Sequence, residues 1–281
     1  MSSRILDAVQ LDAYERDGVI LIRNVIGPNW LERLTTLTEG ILAEPSQWAS
    51  DTGDQGGEGR GRALDERYLW RENDEVRRFV FESGIASLVG QAMRTNTLRF
   101  YFDHWFVKEP GTMTGTPWHQ DAPYWPFTGR QIASLWLSLS PVDRDASALE
   151  LVKGSHTWNK TYKPRRFVKT DPKTDWLREA EAAPGDEIPD IEGNRDAYDI
   201  FCEPMNPGDG LIFSAWMIHA APHNRSEHRR VAVSTRWLGD DVRWNPNPRA
   251  DPTVRQRDVC VQPGQPATDD DRFPAVWRSP R

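Results

Sequence analysis

Apolar and polar side chains alternate along the middle of this chain. This alternation restricts the possible folds of the chain more than any other feature of its sequence. In residues 132–140 every second position from 135 is a leucine, and the positions between are serine or tryptophan. The leucines are Leu135, Leu137 and Leu139, and the intervening residues are Ser134, Trp136 and Ser138. Because successive side chains of a strand point to opposite faces, the pattern predicts a strand between an apolar layer and a polar interior.

Similar short strands are predicted throughout residues 98–240. Their ranges are 98–106, 148–152, 200–203, 210–219 and 230–238. In the first strand, one face is expected to hold Leu98, Phe100, Phe102, His104 and Phe106. Strands that recur at this spacing, with proline and glycine turns between them, indicate a β-sandwich or β-barrel.

Residues 1–97 are predicted to be mainly helical. A helix over Leu11–Arg16 is expected to end at Gly18, and a buried strand follows at Val19–Ile22. Pro28 suits the first turn of the next helix, where apolar residues recur every three or four positions at Leu31, Leu34, Leu37 and Ile41. Residues 74–94 predict two helical pieces with a break at residues 83–84.

Residues 1–281 are predicted to form one domain without internal repeats. Residues 159–199 are charged and lack periodicity, so we expect an insert that covers the site as a lid. Residues 241–281 are polar and proline-rich, which predicts a solvated C-terminal tail. The glycine-rich range 51–62 predicts a flexible loop, because it does not have the glycine spacing of a phosphate-binding turn.

Composition excludes several classes of protein. The formal charge of −7 argues against a nucleic-acid partner, and no apolar run approaches the 18 residues of a membrane span. The two cysteines, Cys202 and Cys260, argue against a disulfide scaffold and suit a reducing compartment. We therefore expect a cytoplasmic protein with a small-molecule partner. The 13 tryptophans fit either the core or the wall of an organic-substrate pocket.

A histidine and a carboxylate stand two residues apart at His119 and Asp121, after a predicted strand. In an extended chain such residues share a face, so both side chains can reach one metal ion. Two histidines and one carboxylate are the ligands of many non-haem Fe(II) oxygenases. The pair alone is a weak signal, since His-x-Asp is more often an ordinary polar pair, and a third ligand must come from elsewhere.

His219, at the end of an apolar strand, is the candidate third ligand. Arg230 begins a later strand that is expected to lie antiparallel to the strand of His219, and an arginine there can bind a carboxylate in a bidentate pair. Arg229 is an alternative to Arg230, and Arg236 is expected on the same strand face as Arg230. Spacing favours Arg230.

These motifs together resemble the phytanoyl-CoA dioxygenase family of Fe(II)/2-oxoglutarate-dependent oxygenases. The resemblance covers residues 8–240 and rests on the order and spacing of the motifs. They are Asp17–Asn24, His119-Gln120-Asp121, Trp136, Ala148–His156, Pro207-Gly208-Asp209, His219, Asn224 and Arg230. The family implies a double-stranded β-helix, or jelly-roll, of the cupin-like type with helices outside it.

The same resemblance implies roles for individual residues. His119, Asp121 and His219 would bind Fe(II), Arg230 would bind the distal carboxylate of 2-oxoglutarate, and Trp136 would lie against this cosubstrate. O2 would be the second cosubstrate. The expected activity is that of a dioxygenase which hydroxylates a small organic metabolite and releases succinate and CO2, because related halogenases have glycine or alanine at the position of Asp121.

Two other functions stay open at this stage. One is a cupin-like metal-dependent isomerase, and the other is a non-catalytic jelly-roll protein; neither needs the anion-binding arginine. The substrate is not identified. Aromatic residues around the metal motif could contact an apolar part of it, and the basic residues of the insert could either bind an acidic group or be solvated. These basic residues are Lys163, Arg165, Arg166 and Lys169.

Overall fold

The computed structural model describes residues 4–51, 61–113, 115–167, 177–182, 185–247 and 249–280. Its α-helices are α1 (Ala8–Asp17), α2 (Pro28–Ala43), α3 (Asp74–Glu82), α4 (Ile85–Ala92) and α5 (Leu177–Ala182). Its strands are β1 (Val19–Ile22), β2 (Ser50–Asp51), β3 (Ala63–Arg67), β4 (Thr97–Lys108), β5 (Thr116–His119), β6 (Phe127–Thr128), β7 (Ile132–Ser138), β8 (Glu150–Val152), β9 (Ile200–Phe201), β10 (Gly210–Ser214), β11 (His219–Ala221), β12 (Arg230–Leu238), β13 (Arg243–Trp244) and β14 (Ala275–Arg278). The prediction of a mainly β fold with flanking helices is confirmed. Most of the predicted glycine-rich loop lies outside the described residues.

Two antiparallel sheets form the core. The larger sheet has the strand order β1-β10-β7-β12-β4-β3-β2, and β14 pairs with the first residues of β4. The smaller sheet has the order β5-β11-β8-β9, and β13 pairs separately with β6. Phe213 of the larger sheet and Leu151 of the smaller sheet belong to one buried apolar cluster, so the two sheets pack face to face. The predicted double-stranded β-helix is confirmed, and in the described residues the sheets stay separate without closing into a barrel.

Helices α2, α3 and α4 cover the outer face of the larger sheet. Leu135 and Leu137 of β7 share a buried cluster with Leu34 of α2 and Phe79 of α3. The alternation in β7 therefore has the predicted sense, with leucines against the helices and Trp136 towards the interior. The predicted break between α3 and α4 is also present, at Gly84 with a φ of 85°.

Strand β4 does not keep one alternation along its whole length. Its pairing with β12 shifts register between Arg236 and Trp237, which are opposite Phe102 and Phe100. The extra residue in β4 turns its side chains over, as a β-bulge does. Phe100 faces the helices with Leu98, whereas Phe102, His104 and Phe106 face the interior. The prediction of one shared face for residues 98–106 is wrong for this reason.

The strand predicted over residues 210–219 is two strands in different sheets. β10 ends at Ser214 in the larger sheet, a turn follows, and β11 begins at His219 in the smaller sheet. Arg230 lies on β12, which pairs with β4 and β7 and not with the strand of His219. The predicted antiparallel pairing of these two strands is therefore wrong, because the chain crosses between the sheets at residues 215–218.

The C-terminal segment is part of the fold and not a solvated tail. Phe273 is fully buried in an aromatic cluster with Phe127 and Trp244. β14 adds a strand beside β4, and Trp277 packs so closely on Gly90 of α4 that a Cβ there would lie 2.4 Å from its ring. These contacts overturn the prediction of a solvated tail, since apolar residues spaced irregularly among prolines still reach the core. Among the described residues, none of the helices combines the length and apolar character of a membrane span.

Candidate active site

The two candidate histidine ligands face one another across the smaller sheet. His119 is the last residue of β5 and His219 the first of β11, and their Cα atoms are directly paired in the antiparallel register. Their ring centroids are 4.1 Å apart. The sheet therefore brings together two histidines that are 100 positions apart in the chain.

Asp121 reaches the same point through a turn. Strand β5 ends at His119, and Asp121 has helical dihedral angles (φ −74°, ψ −43°) at the start of a 3-10 turn over Ala122–Tyr124. Its Oδ1 lies 3.4 Å from His119 Nε2 and 3.8 Å from His219 Nε2. The three side chains converge as predicted. The reason differs from the prediction, because a turn after β5 brings Asp121 to the histidines and the pleat of an extended strand does not.

A hydrogen bond of the same form orients each histidine. His119 Nδ1 is 2.8 Å from the carbonyl oxygen of Pro117, and His219 Nδ1 is 3.1 Å from that of Met217. A carbonyl only accepts, so each Nδ1 carries the proton and each Nε2 keeps its lone pair. Candidate ligand atoms of the three residues all lie within 4.8 Å of one another, as a metal site requires.

Burial and nearby charges keep His219 and Asp121 in their metal-binding protonation states. Burial lowers the pKa of His219 to about 3, with the nearby His119 adding to the effect. Burial alone would raise the pKa of Asp121, but other effects, of which the charge of Arg236 is the largest, lower it below its usual value. At neutral pH the site therefore offers a neutral His219 and an ionised Asp121.

Arg230 also lines the cavity. It is 2% exposed, its guanidinium carbon is 5.7 Å from the ring centre of Trp136, and Nη2 is 3.4 Å from Ser147 Oγ. Its Nε has no hydrogen-bond partner in the described residues. Lys108, the cross-strand neighbour of Arg230, donates to Ser147 Oγ at 3.1 Å. Burial, with the charge of Arg230 adding to the effect, lowers the pKa of Lys108 well below its usual value, so Arg230 is the cation of this pair that lines the cavity.

The two alternative arginines occupy different environments. Arg229 points to the surface and pairs with Glu39 at 2.8 Å and Glu109 at 2.7 Å, so it does not line the cavity. Arg236 does line the cavity, and its Nη2 is 3.5 Å from Asp121 Oδ2. The prediction that Arg236 shares a face with Arg230 was made from alternation alone. Its contact with Asp121 was not predicted, because that contact depends on the turn after His119.

One cavity contains all five predicted site residues, encloses about 1200 Å³ of empty space including its mouth, and has largely aromatic walls. The aromatic residues among its walls are Phe102, Phe106, Tyr124, Trp125, Trp136, Phe167 and Phe213. Three charged residues of the wall were missed by sequence reasoning: Asp65 and Arg67 of β3, and Asp251 of the C-terminal segment. They lie on β3, for which the sequence predicted no strand, and in the C-terminal segment, so no local pattern identified them.

The described parts of residues 159–199 lie over this cavity. Gln120, between the two ligands of the motif, accepts from Tyr162 N and donates to Lys160 O. Tyr124 exchanges hydrogen bonds with the backbone of Arg165 at 2.8 and 2.9 Å, and the Phe167 ring is 4.6 Å from that of His119. The predicted position of the insert fits these contacts, whereas its predicted motion stays a prediction.

The basic residues of the insert are largely paired. Lys163 lies 2.5 Å from Glu187, and Arg166 Nε lies 2.8 Å from Glu181. Arg165 uses its backbone to contact Tyr124, and Lys169 lies outside the described residues. These ion pairs lie within the insert, but only 20% of the Lys163 side chain and 15% of the Arg166 side chain are exposed, so these two residues are not a solvated surface.

The remaining histidines do not join the metal group. His104 lies against Phe106, with ring centres 3.9 Å apart, and lines the cavity with a buried Nε2. His156 is a structural residue that contacts the Glu15 carbonyl oxygen at 3.2 Å. His228 contacts the Pro141 carbonyl oxygen at 3.1 Å in an exposed loop.

Fold and site together define a jelly-roll protein with a candidate His–Asp–His metal centre inside its cavity. The chain belongs to the phytanoyl-CoA dioxygenase (PhyH) family, whose model matches residues 14–232. The predicted family is therefore confirmed.

Individual relatives are similar to this chain at sequence identities of 16% to 31%. A 1-deoxypentalenic acid 11-beta-hydroxylase from Streptomyces arenae is 31% identical over 146 residues, which are 51% of this chain and 47% of that protein. This chain thus spans about half the length of the curated relatives that it matches. The carbocyclase SnoK of nogalamycin biosynthesis, a non-haem alpha-ketoglutarate-dependent enzyme, superimposes with a TM-score of 0.72 at 19% identity over 97% of each chain. EctD from S. alaskensis with 2-oxoglutarate and 5-hydroxyectoine gives 0.69 at 16% identity over 93% of this chain and 86% of its own.

Proposed function

We propose that this protein is an Fe(II)/2-oxoglutarate-dependent dioxygenase that hydroxylates a small organic metabolite. One observation carries the proposal: a buried His–Asp–His group and a buried arginine with an unpaired N–H line the same cavity. A metal alone would need only the first of these. The cosubstrate of such an oxygenase is a dicarboxylate, which needs the metal held by the His–Asp–His group and also a cation such as the buried arginine.

The donor set fits Fe(II). Two imidazole nitrogens and one carboxylate oxygen, all from His119, Asp121 and His219, form the ligand type found in non-haem Fe(II) oxygenases. The Nδ1 hydrogen bonds to Pro117 and Met217 carbonyls hold both rings with Nε2 towards the common point. With 4–5% of each histidine exposed, water has limited access to these ligands.

The other end of the cavity fits the distal carboxylate of 2-oxoglutarate. Arg230 is buried, and the hydrogen-bonding capacity of its Nε is unused in the described residues. A carboxylate would satisfy this N–H and offset the charge of the guanidinium. Trp136 lies beside the guanidinium, so we propose that its ring packs along the carbon chain of the cosubstrate.

The residues of the chain then have distinct roles in the reaction. Bound Fe(II) and 2-oxoglutarate would supply the oxidising chemistry, in which 2-oxoglutarate and O2 become succinate and CO2 and one oxygen atom reaches the substrate. His119, Asp121 and His219 hold the metal on one side, and Arg230 fixes the far end of the cosubstrate. The aromatic walls, with Phe167 over His119, exclude water and orient the substrate C–H group.

Asp121 favours hydroxylation over halogenation. A carboxylate in this position occupies the place in which a halide would otherwise bind, and its negative charge also repels a halide. The chain has a carboxylate there, and that carboxylate is ionised. Hydroxylation is therefore the proposed outcome.

We also propose the class of the substrate and the location of the protein. A relative is named as a hydroxylase of 1-deoxypentalenic acid, which is a small organic molecule, and the aromatic cavity suits a molecule of that general class. The negative charge of the chain argues against a nucleic-acid partner. Free Cys202 and Cys260 are consistent with a cytoplasmic location.

Anaerobic spectroscopy tests the proposal. Fe(II) and 2-oxoglutarate together should give the weak visible charge-transfer band of an iron chelate in the unmodified protein. His219→Ala should abolish the band, and Arg230→Ala should shift it to much higher cosubstrate concentration. Arg229→Ala, which alters a surface ion pair, serves as the matched control. If the unmodified protein gives no band, a non-catalytic jelly-roll or an isomerase becomes the better interpretation.

A further inference from the structure

Arg236 is a buried cation whose hydrogen-bonding capacity the described residues do not meet. Only 6% of its side chain is exposed, and both Nε and Nη1 have no hydrogen-bond partner within the described part of the chain. Burying such donors without partners is unfavourable. Arg236 lines the cavity, so an anionic ligand there could accept from one of these two groups, which lie on different edges of the guanidinium.

The contact with Asp121 does not account for Arg236 fully. Nη2 of Arg236 is 3.5 Å from Asp121 Oδ2, which is a long ion pair. With Fe(II) bound, the carboxylate would share its charge with the metal, and Arg236 would lose part of its counter-charge. Asp251 is the other acid at this end of the cavity, and it is 3.7 Å from Arg67 and accepts the Thr253 N–H.

Arg236 and Arg230 cannot serve the same carboxylate. Both lie on the interior face of β12, six residues apart, which corresponds to about 20 Å between their Cα atoms in a strand. The five-carbon cosubstrate held by Arg230 is much shorter than this. Arg230 and Arg236 are therefore two separate cationic positions in the cavity, and Arg236 is the one beside Asp121.

The surroundings of Arg236 are aromatic. Its guanidinium carbon is 5.6 Å from the ring centre of Trp125 and 5.8 Å from that of Phe102. Tyr124 and Phe167, with ring centres 5.7 Å apart, continue the wall towards His119. A ligand that fits this end has an anionic group at Arg236 and an apolar body that extends towards the metal ligands.

We propose that Arg236 binds the carboxylate of the substrate and that the substrate is an apolar organic acid. The inference rests on the proposed oxygenase function and adds the substrate class to it. One unpaired N–H of Arg236, at Nε or Nη1, donates to the carboxylate of the acid, while the apolar body packs on Phe102 and Trp125. Its reacting carbon lies towards His119, Asp121 and His219.

Phenylalkanoates and their amides test this proposal without knowledge of the natural substrate. Phenylacetate, 4-phenylbutyrate and 6-phenylhexanoate are titrated calorimetrically into protein saturated with Mn(II) and 2-oxoglutarate. Mn(II) replaces Fe(II) to prevent turnover, and 2-oxoglutarate keeps the probes away from Arg230. At least one acid should bind at least ~10-fold more tightly than its own amide, as a charge-assisted hydrogen bond predicts. Arg236→Gln should abolish that preference.

Two variants separate this role from others. Arg229→Gln changes a surface arginine just before the same strand and should keep the full preference for the acid. Arg236→Lys keeps the charge but loses the planar fork, so it should retain only part of the preference. If no acid binds better than its amide, the inference is wrong.

A positioning role for Arg236 would give another result. Arg236→Gln would then weaken Mn(II) binding through Asp121 and leave the ratio of acid to amide affinity unchanged, which also overturns the inference. Failure of the proposed oxygenase function is distinguishable: Mn(II) and 2-oxoglutarate would then bind independently of His219 and Arg230. In that case both proposals fall.

Discussion

The two faces of the larger sheet are equally buried but differ in chemistry. On the outer face, apolar side chains such as Leu137 and Val233 pack against helices. On the inner face, three side chains have a buried nitrogen without a hydrogen-bond partner in the described residues: His104, Arg230 and Arg236. The buried hydroxyl of Ser234 has no such partner either. Burial of apolar groups stabilises the fold, whereas burial of unpaired polar groups costs free energy. The outer face therefore contributes stability, and the inner face is built to bind ligands.

Removal of a metal ligand from the inner side should have the largest effect. Asp121→Ala should reduce metal affinity more than the ~10–100-fold expected for loss of an outer-shell partner, because it removes both a ligand and a charge. Hydroxylation should fall with it, and the metal-free protein should also lose some stability, because Asp121 is paired with the buried Arg236. Metal titration and succinate release measure the two effects. An unfolded Asp121→Ala protein would break the comparison, because the inner face would then be needed for stability.

Product analysis in chloride buffer sharpens the role of Asp121. The unmodified enzyme should yield only hydroxylated product, because the carboxylate occupies the position that a halide would need. Asp121→Gly should lose most hydroxylation and gain little or no halogenation, because the substrate must also be held near the halide. Product mass provides the measurement once a substrate is known. A chlorinated product from the unmodified enzyme would contradict the proposed role of Asp121.

Arg230→Ala should produce the next largest effect. Truncation of one partner in a buried arginine–carboxylate pair costs about 2–5 kcal/mol, or roughly 30-fold to several thousand-fold in affinity for 2-oxoglutarate. Metal affinity should change much less. Calorimetry with Mn(II) and 2-oxoglutarate measures both. A large loss in Arg236→Ala with none in Arg230→Ala would exchange the roles of the two arginines.

On the outer face, Leu137→Ala should lower the free energy of unfolding by about 2–5 kcal/mol. Leu137 is fully buried against the helices, so the truncation leaves a cavity there. Urea denaturation measures the effect, and metal affinity of the folded protein should be unchanged. A loss of metal affinity without a loss of stability would contradict the division between the two faces.

The smallest effects should have opposite signs at two buried serines. Ser234 Oγ has no hydrogen-bond partner in the described residues, so Ser234→Ala should raise the free energy of unfolding by about 1 kcal/mol. Ser138 is also fully buried, but its hydroxyl donates to the Ser140 carbonyl oxygen at 2.5 Å. Ser138→Ala should therefore lower stability by about 1 kcal/mol. Urea denaturation of both variants tests the contrast, and equal signs would contradict it.

Local patterns in the sequence predicted the strands and the members of the site. The alternation around Trp136 identified the face towards the cavity, and residue spacing brought His119, Asp121, His219 and Arg230 into one proposal. Such patterns depend on neighbours in the chain, which the sequence contains directly.

Features that depend on distant contacts were missed. The crossing between sheets after Ser214, the bulge near Phe102 and the burial of Phe273 all require knowledge of which strands become neighbours. The contact between Arg236 and Asp121 was missed for the same reason, since it joins β12 of the larger sheet to the turn that follows β5 of the smaller sheet. Periodicity within a single segment contains none of this information.

The hydrogen bonds from the two histidines to the carbonyl oxygens of Pro117 and Met217 have a consequence for protein engineering. Each imidazole donates to backbone two residues earlier in its own segment, and the aromatic wall residues that contact the two rings in the described part of the chain are Tyr124, Phe167 and Phe213. Libraries of variants at wall positions such as Phe102, Phe106 and Trp125 can therefore sample new substrates while the ring orientation of both ligands is preserved. The chain thus offers a starting point for directed evolution in which the selectivity of the pocket and the geometry of the metal centre vary independently.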